Sequence, residues 1–198
     1  MNCLLLVDIQ NDFLPGGALA VPDGDKVIPV ANKLQPAFPL VVATQDWHPA
    51  NHGSFAASHP GGKVFEQIEL NGLPQTLWPV HCVQEGHGAQ FVKGLDTSKF
   101  AKIIEKGVDP EIDSYSGFFD NGNERDTGLA KFLKEKKVDE VHVVGLATDY
   151  TVKFTALDAK QLGYTTIVHK AGCRAVNLNP GDEAKALAGL VFAGVQVK

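Results

Sequence analysis

The polar residues that could do chemistry fall where apolar runs stop. Cys3–Val7 ends at Asp8, and Leu40–Thr44 runs into Gln45, Asp46, Trp47 and His48. Lys102–Glu105 ends at Lys106-Gly107, and Glu140–Gly145 leads into Leu146-Ala147-Thr148-Asp149-Tyr150-Thr151. A strand-ending aspartate often only caps a turn, and a strand-ending lysine is usually solvated. Shared position lifts Asp8 and Lys106 above those ordinary readings. If the runs are parallel strands, Asp8, Asp46, His48, Lys106 and the 146–151 turn all face one crevice at the carboxyl edge of the sheet.

Asp46 and His48 stand two apart, which in extended chain puts both side chains on one side. A carboxylate and an imidazole so placed could hold a divalent metal if another imidazole arrived. His52, His59, His81 and His87 are the candidates, all in the same long, irregular stretch. Many D-x-H pairs are plain surface residues, so spacing alone leaves metal binding open. At the fourth closure, Thr148-Asp149 can cap a helix whose first amides are unpaired donors at the positive end of its dipole. Such amides could stabilise an oxyanion beside Thr151.

The elements that must position these residues are legible in outline. Cys3–Val7, Leu40–Thr44, Lys102–Glu105, Glu140–Gly145 and Thr165–Val168, with Gly194–Val197 as a sixth, are rich in Val, Ile and Leu without clean alternation. Strands buried on both faces read this way. Helical patterns lie over Asp25–Leu34, Thr127–Lys136, Asp149–Leu162 (stopped by Gly163) and Asp182–Phe192. The alternation predicts βαβ units. The expected fold is a single-domain, three-layer α/β/α architecture with a mostly parallel, about six-stranded, Rossmann-like sheet. The segment from about 46 to 99 is rich in Gly, Pro and His and weakly periodic; a loop of that length is usually functional or wrongly assigned. No linker divides the chain, so residues 1–198 are expected to form one domain.

Composition narrows the classes. A chain of 198 residues with a net charge of −5 is large enough for a sizeable core and argues against a broad nucleic-acid surface. No apolar run is long enough for a membrane span, and the start lacks the basic flank of a signal peptide. Three cysteines, Cys3, Cys82 and Cys173, cannot all pair within the chain, which points to a reducing cytoplasm. The expected partner is a small molecule, with neither nucleic acid nor membrane; oligomeric state is not readable.

Five segments together carry a family resemblance: Val7-Asp8-Ile9-Gln10-Asn11-Asp12-Phe13, Thr44-Gln45-Asp46-Trp47-His48-Pro49, Trp78-Pro79-Val80-His81-Cys82-Val83, Lys106-Gly107 and Gly145-Leu146-Ala147-Thr148-Asp149-Tyr150. In order and over nearly the full length, they resemble the nicotinamidase/pyrazinamidase family of the isochorismatase-like cysteine hydrolase superfamily. Cys173-Arg174-Ala175-Val176 fits the same pattern. The resemblance implies hydrolysis of nicotinamide to nicotinate and ammonia, or of pyrazinamide likewise. Asp8 matches the general acid/base and Lys106 the cation beside the nucleophile. Asp46, His48 and His81 match the ligands of one divalent metal, with zinc first and iron or manganese as alternatives, and His52 assists directly or through water. Phe13, Leu19, Trp78, Tyr115 and Tyr150 match the walls of a slot for the ring. The amides of Ala147 and Thr151 match an oxyanion hole, and the Leu146–Ala147 peptide is expected to be cis.

One position departs from the pattern. The family's nucleophilic cysteine falls at 151, and here stands Thr151. A thiol beside a lysine and a helix N-terminus can become a thiolate, whereas an alcohol is a far weaker acid. Asp8 would have to take the hydroxyl proton during attack, and the β-branched side chain is stiff. Loss of a nucleophile in unrelated hydrolases costs on the order of a millionfold. A preserved pocket with strongly impaired hydrolysis is therefore expected. Two other readings stand beside it: an isochorismatase-like vinyl ether hydrolase, since some such relatives lack the cysteine, and a non-catalytic binder of nicotinamide-like rings.

Overall fold

A computed structural model describes residues 1–198. The strands are β1 (Asn2–Val7), β2 (Leu40–Asp46), β3 (Gln67–Leu70), β4 (Leu73–Thr76), β5 (Phe100–Lys106), β6 (Glu140–Leu146), β7 (Thr165–Arg174) and β8 (Gln196–Val197). The helices are α1 (Val27–Leu34), α2 (Leu129–Glu135), α3 (Lys153–Gln161) and α4 (Asp182–Phe192). Six strands form the main sheet in the order β5-β2-β1-β6-β7-β8, and every pairing in it is parallel. The chain winds outward from β1 through β2 to β5, then returns beside β1 and winds the other way. The strand order therefore reverses between β1 and β6, where doubly wound folds open a crevice at the carboxyl ends.

Alternation along β1 divides the interior. Cys3, Leu5 and Val7 pack with Leu129 and Leu133 of α2, Ala156 and Ala159 of α3 and Leu190 of α4. Leu4 and Leu6 pack on the opposite face with Val27 and Ala31 of α1 and with Trp78, Cys82 and Leu95 of the irregular region. Three of the helices bury pairs four residues apart, Val27/Ala31, Leu129/Leu133 and Ala186/Leu190, as one stripe of a helix laid on a sheet requires. Fully burying one leucine there contributes about 1.5–3 kcal/mol. The result is a single-domain α/β fold with helices on both faces of the sheet. No helix is long and apolar enough to cross a membrane.

Several expectations are corrected. The 46–99 stretch is not all loop, because β3 and β4 pair in an antiparallel hairpin within it. α3 begins only at Lys153; Thr148–Val152 forms a π turn before it, with Val152 N–H bonded to Ala147 O at 3.1 Å. Neither Thr148 nor Asp149 caps the helix: the Asp149 carboxylate is taken by the amides of Val176 and Asn177 at 3.0 and 2.8 Å. Cys173 lies within β7 opposite Gly145, not after the strand end, because β7 continues through a register shift to Arg174.

Candidate active site at the carboxyl end of the sheet

Asp8 is the first residue past β1, and its φ of 50° turns the chain out of the sheet. Its Oδ1 accepts a hydrogen bond from the Thr44 hydroxyl at 2.5 Å, and its Oδ2 lies 3.0 Å from Lys106 Nζ. Lys106 closes β5 and is fully buried. It also donates to Asp46 Oδ1 at 2.5 Å and to Ser114 O at 3.0 Å. One buried cation thus serves two buried carboxylates, and their protonation divides accordingly. Burial pushes the Asp8 pKa up to about 6, although Lys106 pulls the other way. Burial also acts to raise Asp46, but Lys106, His48 and His81 outweigh it and hold that carboxyl well below the usual range. Burial disfavours the charged lysine, and the two carboxylates more than restore it, so Lys106 is raised and stays cationic.

Asp46, His48 and His81 form a buried trio whose ligand atoms lie within 4.8 Å of one another. His48 Nε2 and His81 Nε2 are 3.7 and 3.9 Å from Asp46 Oδ2. The other ring nitrogens are committed: His48 Nδ1 meets Gly107 O and His81 Nδ1 meets Pro79 O, both at 2.8 Å. Carbonyls only accept, so each Nδ1 carries a proton, and in the neutral ring each Nε2 presents a lone pair. This second contact is the one that orients metal-binding imidazoles. Burial favours the neutral form of His48, but the Asp46 carboxylate outweighs it and raises that imidazole's pKa. Burial and the neighbouring His48 push His81 down to about 4, which keeps it neutral at pH 7, as a ligand must be. Gly107 makes room for the arrangement; its φ is 65°, and a Cβ there would lie 2.3 Å from His48 Cε1. Two imidazole nitrogens and a carboxylate oxygen fit a divalent ion of the zinc type.

The remaining histidines separate. His52 is buried beside His48 and Asp113. Ser54 N–H donates to its Nδ1 at 3.1 Å, so in the neutral ring Nε2 bears the proton and has no partner. His52 therefore faces the site as a donor, not as a lone pair. His59 bonds Gly53 O at 2.7 Å and His87 is exposed near Asn11; neither joins the cluster.

A pocket opens over the trio. Phe13, Leu19, Trp78, Tyr115 and Tyr150 all line it, with Asp46, His48, His81, Ala147 and Thr151. Trp78 and Tyr150 meet edge to face at 4.8 Å, and Tyr115 meets Tyr150 at 5.6 Å. Gln75 Nε2 and Trp78 Nε1 donate to the Tyr115 hydroxyl at 3.1 and 3.4 Å, fixing that wall. Sequence reasoning missed Asp113, Ser114 and Val176, which also line the pocket. Only the polar run Asp113-Ser114 just past the Lys106 strand could have signalled the first two.

Thr151 is buried in the π turn, beyond the cis Leu146–Ala147 peptide. Its hydroxyl donates to Leu146 O at 2.5 Å. The proton that Asp8 was expected to remove is therefore committed to a main-chain carbonyl. No cysteine substitutes: all three are buried and none lines the pocket. Burial pushes the thiols of Cys3 and Cys173 up to about 12.

Comparison with known proteins agrees with this picture at the level of the whole chain. The isochorismatase domain matches residues 2–197. A nicotinamidase of Escherichia coli (strain K12) is 53% identical, with 98% of this chain and 92% of that protein covered. The structure of an Acinetobacter baumanii nicotinamidase/pyrazinamidase superposes with a TM-score of 0.96 at 47% identity, covering 99% of this chain and 94% of that one. A Pyrococcus horikoshii pyrazinamidase, solved in complex with zinc, gives a TM-score of 0.81 at 38% identity, covering 100% and 98%.

Proposed function

The chain belongs to the isochorismatase domain family, and on that premise we propose that its pocket takes nicotinamide or pyrazinamide and is built to hydrolyse the carboxamide to the acid and ammonia. Residues 1–198 serve as one hydrolase domain, and the 46–99 region supplies much of the metal- and ring-binding wall. The observation that carries the reading is the buried Asp8–Lys106–Asp46 network beneath an aromatic-walled pocket. Buried charge of this density at a crevice marks chemistry more often than stability.

In this reading the aromatic walls hold the flat ring and exclude water. Lys106 keeps Asp46 ionised and steadies Asp8. Asp8, with its pKa raised to about 6, is ionised at pH 7 yet close enough to exchange protons, as a general base and then as an acid toward departing ammonia. The amides of Ala147 and Thr151 serve as the oxyanion hole. Asp46, His48 and His81 would hold a divalent ion, zinc before iron or manganese, which would supply Lewis-acid chemistry beside the ring. The side chain at 151 is the nucleophile position, and a cysteine there would form a thioester that water then releases. With Thr151, whose hydroxyl is bonded to Leu146 O, hydrolysis falls by up to about a millionfold. A cytoplasmic setting suits the three unpaired thiols.

The test is ammonia release from nicotinamide, with added zinc, by this chain and by Thr151→Cys. The cysteine variant is expected to turn over rapidly and the parent barely. An inert Thr151→Cys protein that still folds would falsify the amidase reading, and a fast parent would overturn the argument about the hydroxyl. The Thr151–Leu146 bond favours one second reading, a binder of nicotinamide-like rings without turnover; calorimetric binding by the parent with no ammonia released would select it.

A further inference from the structure

Two polar side chains just past β1 take no part in the chemistry above, yet both end on the backbone that carries the metal ligands. β1 stops at Val7, while β2 runs on to Asp46. On the β1 side, Asp46 therefore has no strand to pair with. The Gln10 side chain fills that place. Its Oε1 accepts from Asp46 N–H and its Nε2 donates to Asp46 O, both at 2.8 Å. The second Nε2 proton goes to Ala89 O, also at 2.8 Å. One fully buried carboxamide thus reproduces both hydrogen bonds of a missing strand residue and fastens them to the 87–89 turn.

Asp12 does the equivalent for the histidines. Its Oδ2 accepts from Cys82 N–H at 2.7 Å. Cys82 follows His81 directly, and its carbonyl accepts from His48 N–H at 3.0 Å. The Asp12 carboxylate therefore holds Cys82 by the N–H that follows His81, and the Cys82 carbonyl ties the same residue to the backbone of His48. The fit is close: a Cβ on Gly88 would lie 1.9 Å from Asp12 Oδ2, so only glycine leaves room for the carboxylate.

We propose that Gln10 and Asp12 are positioning residues for the metal centre, Gln10 setting Asp46 and Asp12 setting His81 and His48. The inference rests on the metal reading given above. It makes the short segment after β1 do two jobs at once: Asp8 engages Lys106 beneath the pocket, while Gln10 and Asp12 reach sideways to align the ion's ligands.

The experiment measures zinc affinity by competition with a chromophoric chelator, and thermal unfolding of the zinc-free proteins. The proteins are the parent, Gln10→Met, Asp12→Ala, Asp12→Asn and Leu133→Ala. Leu133 packs on the far face of the sheet and reports simple destabilisation. Gln10→Met and Asp12→Ala are expected to bind zinc 10- to 100-fold more weakly, the range for losing a group that orients a ligand. Leu133→Ala should unfold earlier and bind zinc as the parent does. Asp12→Asn keeps an acceptor for Cys82 N–H and should recover much of the affinity lost by Asp12→Ala. Should Gln10→Met fail to fold, the two Asp12 variants carry the test, since Asp12 is only partly buried. Unchanged zinc affinity in Asp12→Ala overturns the proposal, as does a loss no greater than that of Leu133→Ala at equal destabilisation. A folded parent that binds no zinc removes the metal reading itself, and this inference with it.

Discussion

On the proposed reading, Asp8 and Thr151 decide what this pocket can do, and they pull in opposite directions. Asp8 is buried with its pKa raised to about 6, chiefly by loss of water and against the pull of Lys106. A base works in its ionised form, so the rate should fall as pH drops through that value. In Thr151→Cys, the profile of kcat/KM for nicotinamide should show an acid limb near pH 6, and Asp8→Asn should abolish turnover. A limb near the ordinary carboxylate range of about 4 would mean that Asp8 is not the group being titrated. Thr151 has no comparable lever. An alcohol bonded to a carbonyl at 2.5 Å must give up that bond and lose its proton to a base before it can attack. The buried thiols elsewhere cannot help, because their surroundings suppress the thiolate.

At the scale of elements, the pocket is held by side chains that span between segments. Asp149 is the clearest case. The capping pattern Thr148-Asp149 predicts a bond within its own helix, but the carboxylate reaches across to the amides of Val176 and Asn177. Val176 lines the pocket, so Asp149 sets one wall of the slot from a distance. Removing one partner of a buried hydrogen-bonded pair costs about 1–3 kcal/mol. In Thr151→Cys, an added Asp149→Ala should raise KM for nicotinamide by more than it lowers kcat, with parental KM restored by Asp149→Asn only in part. An unchanged KM would show that the loop after β7 holds Val176 by itself. The hairpin of β3 and β4 acts at the same scale. Gln75 on β4 donates to Tyr115, which braces Trp78.

At the scale of the whole molecule, binding and folding are linked. A ligand that occupies the pocket without turning over should stabilise the parent chain by about 2.7 kcal/mol at a hundred times its dissociation constant. For a chain of this size that is a rise in unfolding temperature of roughly 5–10 °C, readable by calorimetry with nicotinamide. No shift at saturating nicotinamide would mean that the ring does not enter. The main sheet was legible because doubly buried strands read as Val, Ile and Leu runs, and each site residue that closes a run could be placed at one edge. The hairpin was not legible: Gln67–Leu70 alternates polar and apolar, but over four residues only, and Leu73–Thr76 is half polar and interrupted by Pro74. The far half of β7 was missed for a similar reason, because Lys170, Ala171 and Gly172 break its apolar run. The reach of Gln10 to Asp46 was out of view altogether, since a side chain standing in for a strand leaves no periodic trace. Thr151 was conspicuous by type, but only coordinates could show that its hydroxyl meets the Leu146 carbonyl.

The reversal of strand order between β1 and β6 has a consequence for how this protein comes into being. Asn2 of β1 finds its partner only in Glu140 of β6. During synthesis the central strand must wait, one edge bare, until most of the chain has left the ribosome. Asp8 and the 146–151 turn lie on opposite sides of that seam, so the pocket does not exist in any shorter nascent piece. Pairings so distant in sequence form slowly. Occupancy of the pocket is therefore a certificate of completed folding: a chain interrupted before β6 can carry Asp8, Asp46, His48, His81 and Lys106 and still have no closed site.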